Sequence, residues 1–198
     1  KDMSEELSSA HFVSLFRSVA PYVNLFRGKT FVIAFGGRAI SGSLARTIAY
    51  DANLLAALGV RLVLVHGARP QIDAELARRG REPRFHHGLR VTDADALECV
   101  KSAMAVTRFE VEALLSQGLP NTPMAGSYIR VTGGNFITAR PMGIIDGVDF
   151  RHTGVVRKVD TAGITHSLDT GALVLLSPFG FSPTGEAFNL SMEEVATS

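Results

Sequence analysis

The sequence predicts an α/β domain of three layers, with a mainly parallel β-sheet between layers of helix, and three observations favour it. Residues 30–35 and 61–66 are short runs of mostly apolar, β-branched or aromatic residues, and each run ends in glycine. The segment between them, 43–59, has apolar residues at helical spacing. A strand, a crossover helix and a parallel strand form a right-handed unit whose strands end at one edge of the sheet. Because both runs are almost wholly apolar, we expect both strands to be buried on both faces.

The elements that follow extend this α/β pattern. Ser43 is the predicted N-cap of the first crossover helix, and Pro70 suits the first turn of the next helix. Residues 81–91 predict a polar excursion or hairpin, after which Thr92 or Asp93 caps a long helix. The last predicted elements are a helix at 160–168, a buried strand at 173–176, a short strand at 186–188 and a helix from 190.

The second half of the chain predicts β-hairpins inserted on one edge of the domain. Two β-rich segments, 127–131 and 135–140, flank the pair Gly133-Gly134 and predict one hairpin. Residues 144–147 and 154–157 predict a second short antiparallel pair.

The composition excludes several classes of partner. The chain has 198 residues, of which 46% are hydrophobic, and a net charge of +1 with scattered Lys and Arg, so no nucleic-acid surface is predicted. No apolar run approaches the roughly 20 residues that span a bilayer, so no membrane partner is predicted. Cys99 is the only cysteine, which excludes a disulfide framework and fits a reducing compartment. We therefore expect a cytoplasmic protein.

The N-terminal segment predicts an amphipathic helix that continues to about residue 26, where Pro21 should bend or restart it. We expect residues 1–28 to form a helical arm and residues 29–198 to form the α/β domain. The apolar stripe of the arm packs either on the protomer's own sheet or on a partner subunit. The residues assigned to this oligomerisation stripe are Phe12, Phe16, Val19, Tyr22, Val23 and Phe26.

Glycine pairs and polar residues predict a ligand cleft at the carboxyl edge of the sheet, where small ligands usually bind in α/β domains. Gly36 and Gly37 follow the first strand and Gly67 follows the second; the alternative is that these glycines only make tight turns. Arg90 precedes a helix N-terminus and suits a carboxylate, unless it is a solvated arginine paired with Asp93.

Asn189 lies at the start of the last helix, either in the same cleft or as an N-cap. We expect one cleft to be lined by Gly36, Gly37, Gly67, Arg90 and Asn189.

Other common sites have no signature in the sequence. No Walker lysine, GxGxxG or nucleophile-elbow motif is present, and no catalytic residue is assigned. His86 and His87 are adjacent, so we expect their side chains to point in different directions, and no metal site is predicted. His66 ends a buried strand and is interpreted as a structural histidine, with a ligand contact as the alternative.

These stretches together resemble the amino-acid kinase family, in the same order along nearly the whole chain. The first strand of the acetylglutamate kinases reads roughly Val-Lys-Ile-Gly-Gly, which is similar to residues 33–37 here, and their His-Gly-Gly-Gly-Pro is similar to residues 66–70. Residues 88–93 match a motif whose arginine binds the substrate carboxylate. Residues 189–193 are similar to the segment Asn-x-Asn-Ala-Asp.

The departures from the kinase pattern bear on activity. The kinase lysine that stabilises the transferring phosphoryl group is Ala34 here, the triple glycine is broken by Ala68 and Arg69, and the catalytic aspartate position is Glu193. Phosphoryl transfer relies on positioned positive charge. The resemblance therefore argues against the alternative function, an ATP-dependent acetylglutamate kinase.

This set of losses is similar to the kinase-like domain of the bacterial N-acetylglutamate synthases, as are the longer strings at 89–94, 135–141, 153–157 and 177–185. The resemblance implies acetyl transfer from acetyl-CoA to L-glutamate at the start of arginine synthesis, inhibited by L-arginine. It also implies assembly into a homo-oligomer through the N-terminal helix, and a hexameric ring is one such assembly. The chain then corresponds to one lobe of a longer protein, with no cofactor of its own, and is inactive alone.

Overall fold

The computed structural model describes residues 9–198 of the chain. Residues 1–8 of the predicted arm lie outside the described residues. The α-helices in the described part are α1 (Ser9–Phe26), α2 (Gly42–Ala57), α3 (Arg69–Arg78), α4 (Ala94–Leu115), α5 (Thr161–Asp169) and α6 (Met192–Thr197), and a short 3-10 helix covers Gly37–Ile40.

The strands in the same part of the chain fall into two four-stranded sheets and two small hairpins. They are β1 (Thr30–Phe35), β2 (Arg61–His66), β3 (Phe85–His86), β4 (Leu89–Arg90), β5 (Val131–Thr132), β6 (Ile137–Pro141), β7 (Ile144–Ile145), β8 (Val148–Asp149), β9 (Gly154–Val159), β10 (Leu173–Leu176), β11 (Phe179–Phe181) and β12 (Ala187–Asn189).

The first sheet is parallel and confirms the predicted β1–α2–β2 unit. Its strand order is β1-β2-β10-β5. β1 and β2 pair in register over six residues, from Thr30 opposite Arg61 to Phe35 opposite His66. β10 pairs with β2 on one side and with β5 on the other, also in parallel. All four strands therefore end at the same edge of the sheet.

The two faces of this sheet are covered by different layers, which gives the three-layer arrangement that the sequence predicts. Leu62 and Leu64 of β2 pack with Ala52 of α2 and with Val111 and Leu115 of α4. Alternate residues of β2 and β10 pack on the other face, in a second core with α5, α6 and the second sheet. α3 packs separately against α4. Because successive side chains of a strand point to opposite faces of the sheet, β2 and β10 contribute residues to both cores.

The expectation that β1 is buried on both faces is wrong. Its residues alternate between exposed and half-buried, whereas β2 is buried from Leu62 to His66. The reason is position, because β1 lies at the edge of the described sheet and β2 lies inside it. Phe31, Ile33 and Phe35 face the core with α2 and α4, and Val32 on the other face is exposed.

The hairpin predicted around Gly133 and Gly134 is also wrong. β5 joins the parallel sheet beside β10, whereas β6 joins a mixed sheet of order β12-β11-β6-β9. A Cβ on Gly133 would lie 2.7 Å from the carbonyl oxygen of Leu175, so this glycine permits close backbone contact with β10. Neither glycine has positive φ, which the two-residue hairpin turn requires.

The second predicted pair, 144–147 with 154–157, is wrong for a related reason. β7 turns back at once onto β8, because Asp146 and Gly147 have φ of +49° and +77° and form a two-residue turn. β9 is then free to pair with β6, with Pro141 opposite Gly154.

Helix starts follow the sequence closely, with one exception. Asp93 caps α4 by accepting from the N–H of Ala96, and Asp160 caps α5 by accepting from the N–H of Gly163. Pro70 lies in the first turn of α3, as predicted. Ser43 is not an N-cap, because α2 begins one residue earlier at Gly42.

The helix α1 is the least packed element of the described chain. It runs through Pro21 without a break, contrary to the predicted restart. From residue 10 to residue 26, every residue is exposed except the half-buried Val23. The ring of Phe26 meets Phe31 edge-on at 5.3 Å, which ties the end of the helix to β1. The prediction that the stripe packs on the protomer's own sheet is therefore wrong, except for this contact of Phe26 with Phe31. Among the described residues, no helix has the length and apolar character to cross a membrane.

His66, the last residue of β2, is a structural histidine between two strands. It is fully buried, and its Nε2 lies 2.7 Å from the hydroxyl of Ser177, just after β10. Burial lowers the pKa of His66 to about 4, and a backbone contact with Gly67 opposes this shift without cancelling it. The imidazole is therefore neutral in the folded protein at neutral pH.

The buried state of His66 predicts an acid-sensitive stability. The unfolded histidine binds a proton near pH 6.5, whereas the folded one does so only near pH 4. The free energy of unfolding is therefore unaffected by His66 above about pH 6.5 and decreases as the pH falls towards 4. The loss attributable to His66 is about 3 kcal/mol. Urea unfolding of the wild type and of His66→Gln at pH 7 and pH 4 measures it. An equal pH dependence in both proteins would contradict the assignment.

Candidate ligand-binding cleft

A cleft of about 870 Å³ opens at the carboxyl edge of the parallel sheet. Its walls are the segments after β1 and β2, the start of α3, the hairpin of β3 and β4, and the segment that leads into α6. All of the residues predicted to share one cleft line it: Gly36, Gly37, Gly67, Arg90 and Asn189. Whether they bind a ligand stays a prediction.

The glycines after the two strands differ in what they do. A Cβ on Gly37 would lie 2.2 Å from Oε1 of Gln71 and 3.0 Å from the carbonyl oxygen of Gly67. A Cβ on Gly67 would lie 3.1 Å from Sδ of Met192. These two glycines therefore allow the segments after β1 and β2 to pack against each other. Gly36 has open space where its Cβ would be, so it is the glycine that leaves room for a ligand.

Arg90 is a buried cation at the wall of the cleft. Its side chain is 6% exposed, and its Nη2 donates to Oδ1 of Asp73 at 2.6 Å. Its Nη1 is buried and has no hydrogen-bond partner among the described residues. The interpretation of Arg90 as a solvated partner of Asp93 is wrong, because Asp93 pairs with Arg81 and caps α4.

The electrostatics of Asp93 follow from these contacts. The N–H of Ala96, which donates to the carboxylate, holds the pKa of Asp93 below its usual range, and Arg81 adds to the effect. Asp93 therefore serves the start of α4 and takes no part in the cleft.

An aromatic ring covers part of the cationic wall. The guanidinium groups of Arg69 and Arg90 both lie over the ring of Phe85, at 4.5 Å and 4.8 Å from its centroid. Phe85 belongs to β3, so the short hairpin positions it directly opposite the start of α3. Arg38 also lines the cleft, which gives three arginines against the carboxylates of Asp73 and Glu193.

Asn189 is held by a buried hydroxyl network. Its Nδ2 donates to Oγ1 of Thr92 at 3.1 Å. Thr92 Oγ1 lies 2.9 Å from Oγ1 of Thr153, whose hydroxyl donates to the carbonyl oxygen of Arg90. One network therefore fixes both Arg90 and Asn189. The interpretation of Asn189 as an N-cap is wrong, since Ser191 caps α6.

Residues that the sequence reasoning missed complete the wall, namely Arg38, Arg69, Asp73, Phe85 and Met192. In the sequence, Arg69 stands out as a break in a glycine motif, but an arginine at a helix start beside a sheet edge is also a signal for an anion site. Phe85 and Asp73 gave no signal, because they reach the cleft only through the folding of the hairpin and α3.

The groups of this cleft suit binding of an anion rather than phosphoryl transfer. Ala34 carries no charge, and Glu193 accepts a hydrogen bond from the hydroxyl of Ser191 at 2.7 Å. That hydrogen bond, with the N–H of Glu193, keeps the pKa of this carboxyl below its usual range. The Glu193 carboxylate is therefore ionised and is hydrogen-bonded by groups of its own helix start.

A separate group could hold a metal ion. His86, His87 and Asp146 each offer a ligand atom within 4.8 Å of the others. The expectation that the two histidines point apart is wrong, since their ring centroids are 4.1 Å apart. Side chains alternate only in extended backbone, and His87 has a φ of +48°.

The fold and the cleft define a class of protein. The chain belongs to the Amino acid kinase family, whose sequence profile matches residues 29–198. The amino-acid acetyltransferase of Ralstonia nicotianae is 56% identical over 187 residues, which are 94% of this chain and 42% of that protein. The enzyme of the same description from Azotobacter vinelandii is 53% identical over 94% of this chain and 43% of its own length. The chain thus spans less than half the length of these relatives.

Solved structures agree with this placement. N-acetylglutamate synthase from Neisseria gonorrhoeae, complexed with coenzyme A and L-arginine, has a TM-score of 0.83 at 41% identity and covers 93% of this chain, which matches 43% of that one. The same enzyme with coenzyme A and N-acetyl-glutamate gives 0.82 at 42% identity, over 93% of this chain and 42% of that one. Carbamate kinase from Giardia lamblia shares the fold alone, with a TM-score of 0.56 at 15% identity, over 86% of this chain and 66% of that one.

The two roles of the glycines predict that substitution by alanine lowers stability at Gly37 but has little effect at Gly36. Gly37→Ala should cost about 1–3 kcal/mol of unfolding free energy, because its Cβ meets the backbone of Gly67 and Ala68 at 3.0 Å and 3.1 Å. Gly36→Ala is the matched control and should change stability by less than about 1 kcal/mol, because its site is open and its φ is −70°. Urea denaturation compares them. Equal losses would show that Gly37 and Gly67 do not pack as described.

Proposed function

We propose that this chain is the kinase-like, regulatory and assembly part of an N-acetylglutamate synthase. The complete protein would transfer the acetyl group of acetyl-CoA to L-glutamate, the first step of arginine synthesis, under inhibition by L-arginine. The observation that carries this proposal is the 56% identity to an amino-acid acetyltransferase over 94% of the chain. The gonococcal synthase, with its coenzyme A, L-arginine and N-acetyl-glutamate complexes, supports the choice of ligands.

Acetyl transfer would lie outside residues 1–198. The relatives are more than twice as long as the matched segment, so there is room for a separate acetyltransferase domain. A pyrophosphate-binding loop of the Arg/Gln-x-x-Gly-x-Gly/Ala type is absent from the sequence. We therefore assign no catalytic residue and no cofactor to this segment.

The alternative, an N-acetylglutamate kinase, lacks support from the sequence of β1, the strand that ends at the cleft. Ala34 occupies the position of the lysine that the resemblance requires for phosphoryl transfer. Such transfer depends on positive charge positioned at the developing negative charge of the transition state. The positive charges of Arg69 and Arg90 lie at the ring of Phe85, on the wall formed by the β3–β4 hairpin.

The cleft itself is proposed to bind a small carboxylate, either L-glutamate or N-acetylglutamate. Arg90 offers a buried guanidinium with one nitrogen that has no partner in the described chain, and Asn189 is held beside it. Gly36, Gly37 and Gly67 would form the floor. A planar guanidinium can donate to Asp73 through one nitrogen and to a ligand carboxylate through the other, a fixed arrangement that an ammonium group does not reproduce.

The arm is proposed to assemble the protein into a homo-oligomer, of which a hexamer is one form. The exposed stripe of Phe12, Phe16, Val19, Tyr22 and Phe26 leaves more apolar surface uncovered than a single surface residue would. We assign residues 1–28 to this arm and residues 29–198 to the kinase-like lobe. The single buried cysteine, Cys99, fits a reducing compartment, and we place the protein in the cytoplasm.

The division of function predicts that the purified chain is inactive in both reactions. The intact natural protein should form N-acetylglutamate from acetyl-CoA and L-glutamate, whereas residues 1–198 should not exceed the uncatalysed rate. The same chain should not consume ATP in the presence of N-acetylglutamate, because Ala34 supplies no charge. Coupled assays for free coenzyme A and for ADP measure both. Turnover by the isolated chain in either assay would overturn the proposal.

The assembly role predicts that polar substitutions on α1 lower the oligomeric state of the intact protein. Phe12→Ser combined with Phe16→Ser should reduce the mass measured by light scattering, since both rings are exposed and stack on each other at 6.2 Å. Ile144→Ser is the control, because Ile144 is 71% exposed, close to the 69% of Phe16, but lies on another surface. An unchanged mass in the double variant would contradict the assignment.

A further inference from the structure

Two hairpin turns face each other beside the cleft and bring three metal-ligand side chains together. The turn between β3 and β4 is His87-Gly88, and the turn between β7 and β8 is Asp146-Gly147. All four residues have positive φ, between +48° and +77°, so both hairpins use the same two-residue turn. The first residue of one turn thus meets the first residue of the other, 59 positions apart in the chain.

The contacts between the turns are close enough for shared coordination. Nε2 of His87 lies 2.8 Å from Oδ2 of Asp146. One nitrogen of His86 completes the group, with the three ligand atoms all within 4.8 Å of one another. The two imidazole rings meet edge to face at 61°. Coordination at the usual Zn–N distance of about 2.0–2.1 Å would set neighbouring ligand atoms roughly 3.4 Å apart. The separation of His87 Nε2 from Asp146 Oδ2 is 2.8 Å, and the His86 nitrogen lies no more than 4.8 Å from either atom, so small side-chain adjustments would bring the three atoms to that spacing.

His86 supplies an observation independent of the ion pair. Its ring is half-buried against Phe150, with centroids 5.9 Å apart. Its Nε2 is buried and has no hydrogen-bond partner among the described residues. A buried polar atom without a partner destabilises the fold unless something else, such as a bound ion, compensates it. The ring is thus held in place by packing rather than by hydrogen bonds through that atom.

We propose that His86, His87 and Asp146 form a binding site for a divalent transition-metal ion, of which Zn²⁺ is the representative. Two imidazole nitrogens and one carboxylate oxygen suit this class, whereas Mg²⁺ and Ca²⁺ prefer sets made of oxygen alone. Three protein ligands leave a fourth position for water or an external anion. The site is separate from the carboxylate cleft and does not depend on the proposed function.

Metal binding here would constrain one wall of the cleft. Phe85, Gly88, Leu89 and Arg90 of the β3–β4 hairpin all line the cleft. An ion shared with Asp146 would fasten the tip of that hairpin to the β7–β8 hairpin. The competing account is a surface ion pair between His87 and Asp146 alone, which contributes little to stability and recruits no ion.

Titration of the chain with Zn²⁺ distinguishes these accounts, using protein without any purification tag and calorimetry at pH 7.5. One site per chain is expected, and His87→Ala and Asp146→Asn should each weaken Zn²⁺ binding at least roughly tenfold. His166→Ala is the control and should bind as the wild type, because His166 is exposed on α5, away from the group. Mg²⁺ should give no heat at the same concentration.

Two further measurements keep the test decisive. The side chains of His87 and Asp146 are 62% and 69% exposed, so their variants should keep the wild-type circular dichroism spectrum and melting temperature. Co²⁺ should give the intense visible bands of a four-coordinate site in the wild type and lose them in His87→Ala. Binding of less than one Zn²⁺ per chain, or equal affinity in His87→Ala, Asp146→Asn and the control, would overturn the proposal.

Discussion

The in-register parallel pairing of β1 with β2 is the constraint on which the rest of the structure depends. Because Phe35 lies opposite His66, the two strands end level, and the glycine segments that follow them meet. Gly37 and Gly67 then pack backbone against backbone, which a Cβ at either position would obstruct. This close approach fixes the start of α3 beside the 3-10 helix at Gly37–Ile40. The floor of the cleft is thus a consequence of strand register, and its walls are added by later segments.

Those walls come from distant parts of the chain and are held by polar groups rather than by the sheet. The hydroxyls of Thr92 and Thr153 link Arg90 to Asn189, and Asp73 of α3 pairs with the guanidinium. A buried cation is costly to keep in place unless such partners surround it. The resulting arrangement supports an anion site, while Ala34 leaves the site without the charge that phosphoryl transfer requires.

Sequence patterns predicted the parallel unit, the caps at Asp93 and Asp160 and all of the cleft residues assigned, since each depends on local spacing or on strand ends. They failed where the partner of a segment is set by tertiary structure. The sequence pattern predicts a hairpin turn at Gly133, whereas the role of this glycine is close contact with β10. The exposure of β1 follows from its place at the edge of the described sheet. The contact of His87 with Asp146 depends on two hairpins lying side by side, which periodicity does not encode.

We propose that the cleft recognises carboxylates through Arg90. Calorimetric titration of the chain with N-acetyl-L-glutamate tests it most directly, in the wild type, in Arg90→Lys and in Arg78→Ala, whose arginine is 75% exposed on α3 and serves as the control. We expect one site in the wild type and in the control, and at least roughly tenfold weaker binding in Arg90→Lys, because lysine lacks the planar fork. No binding by the wild type, or equal affinity in Arg90→Lys and Arg78→Ala, would contradict it.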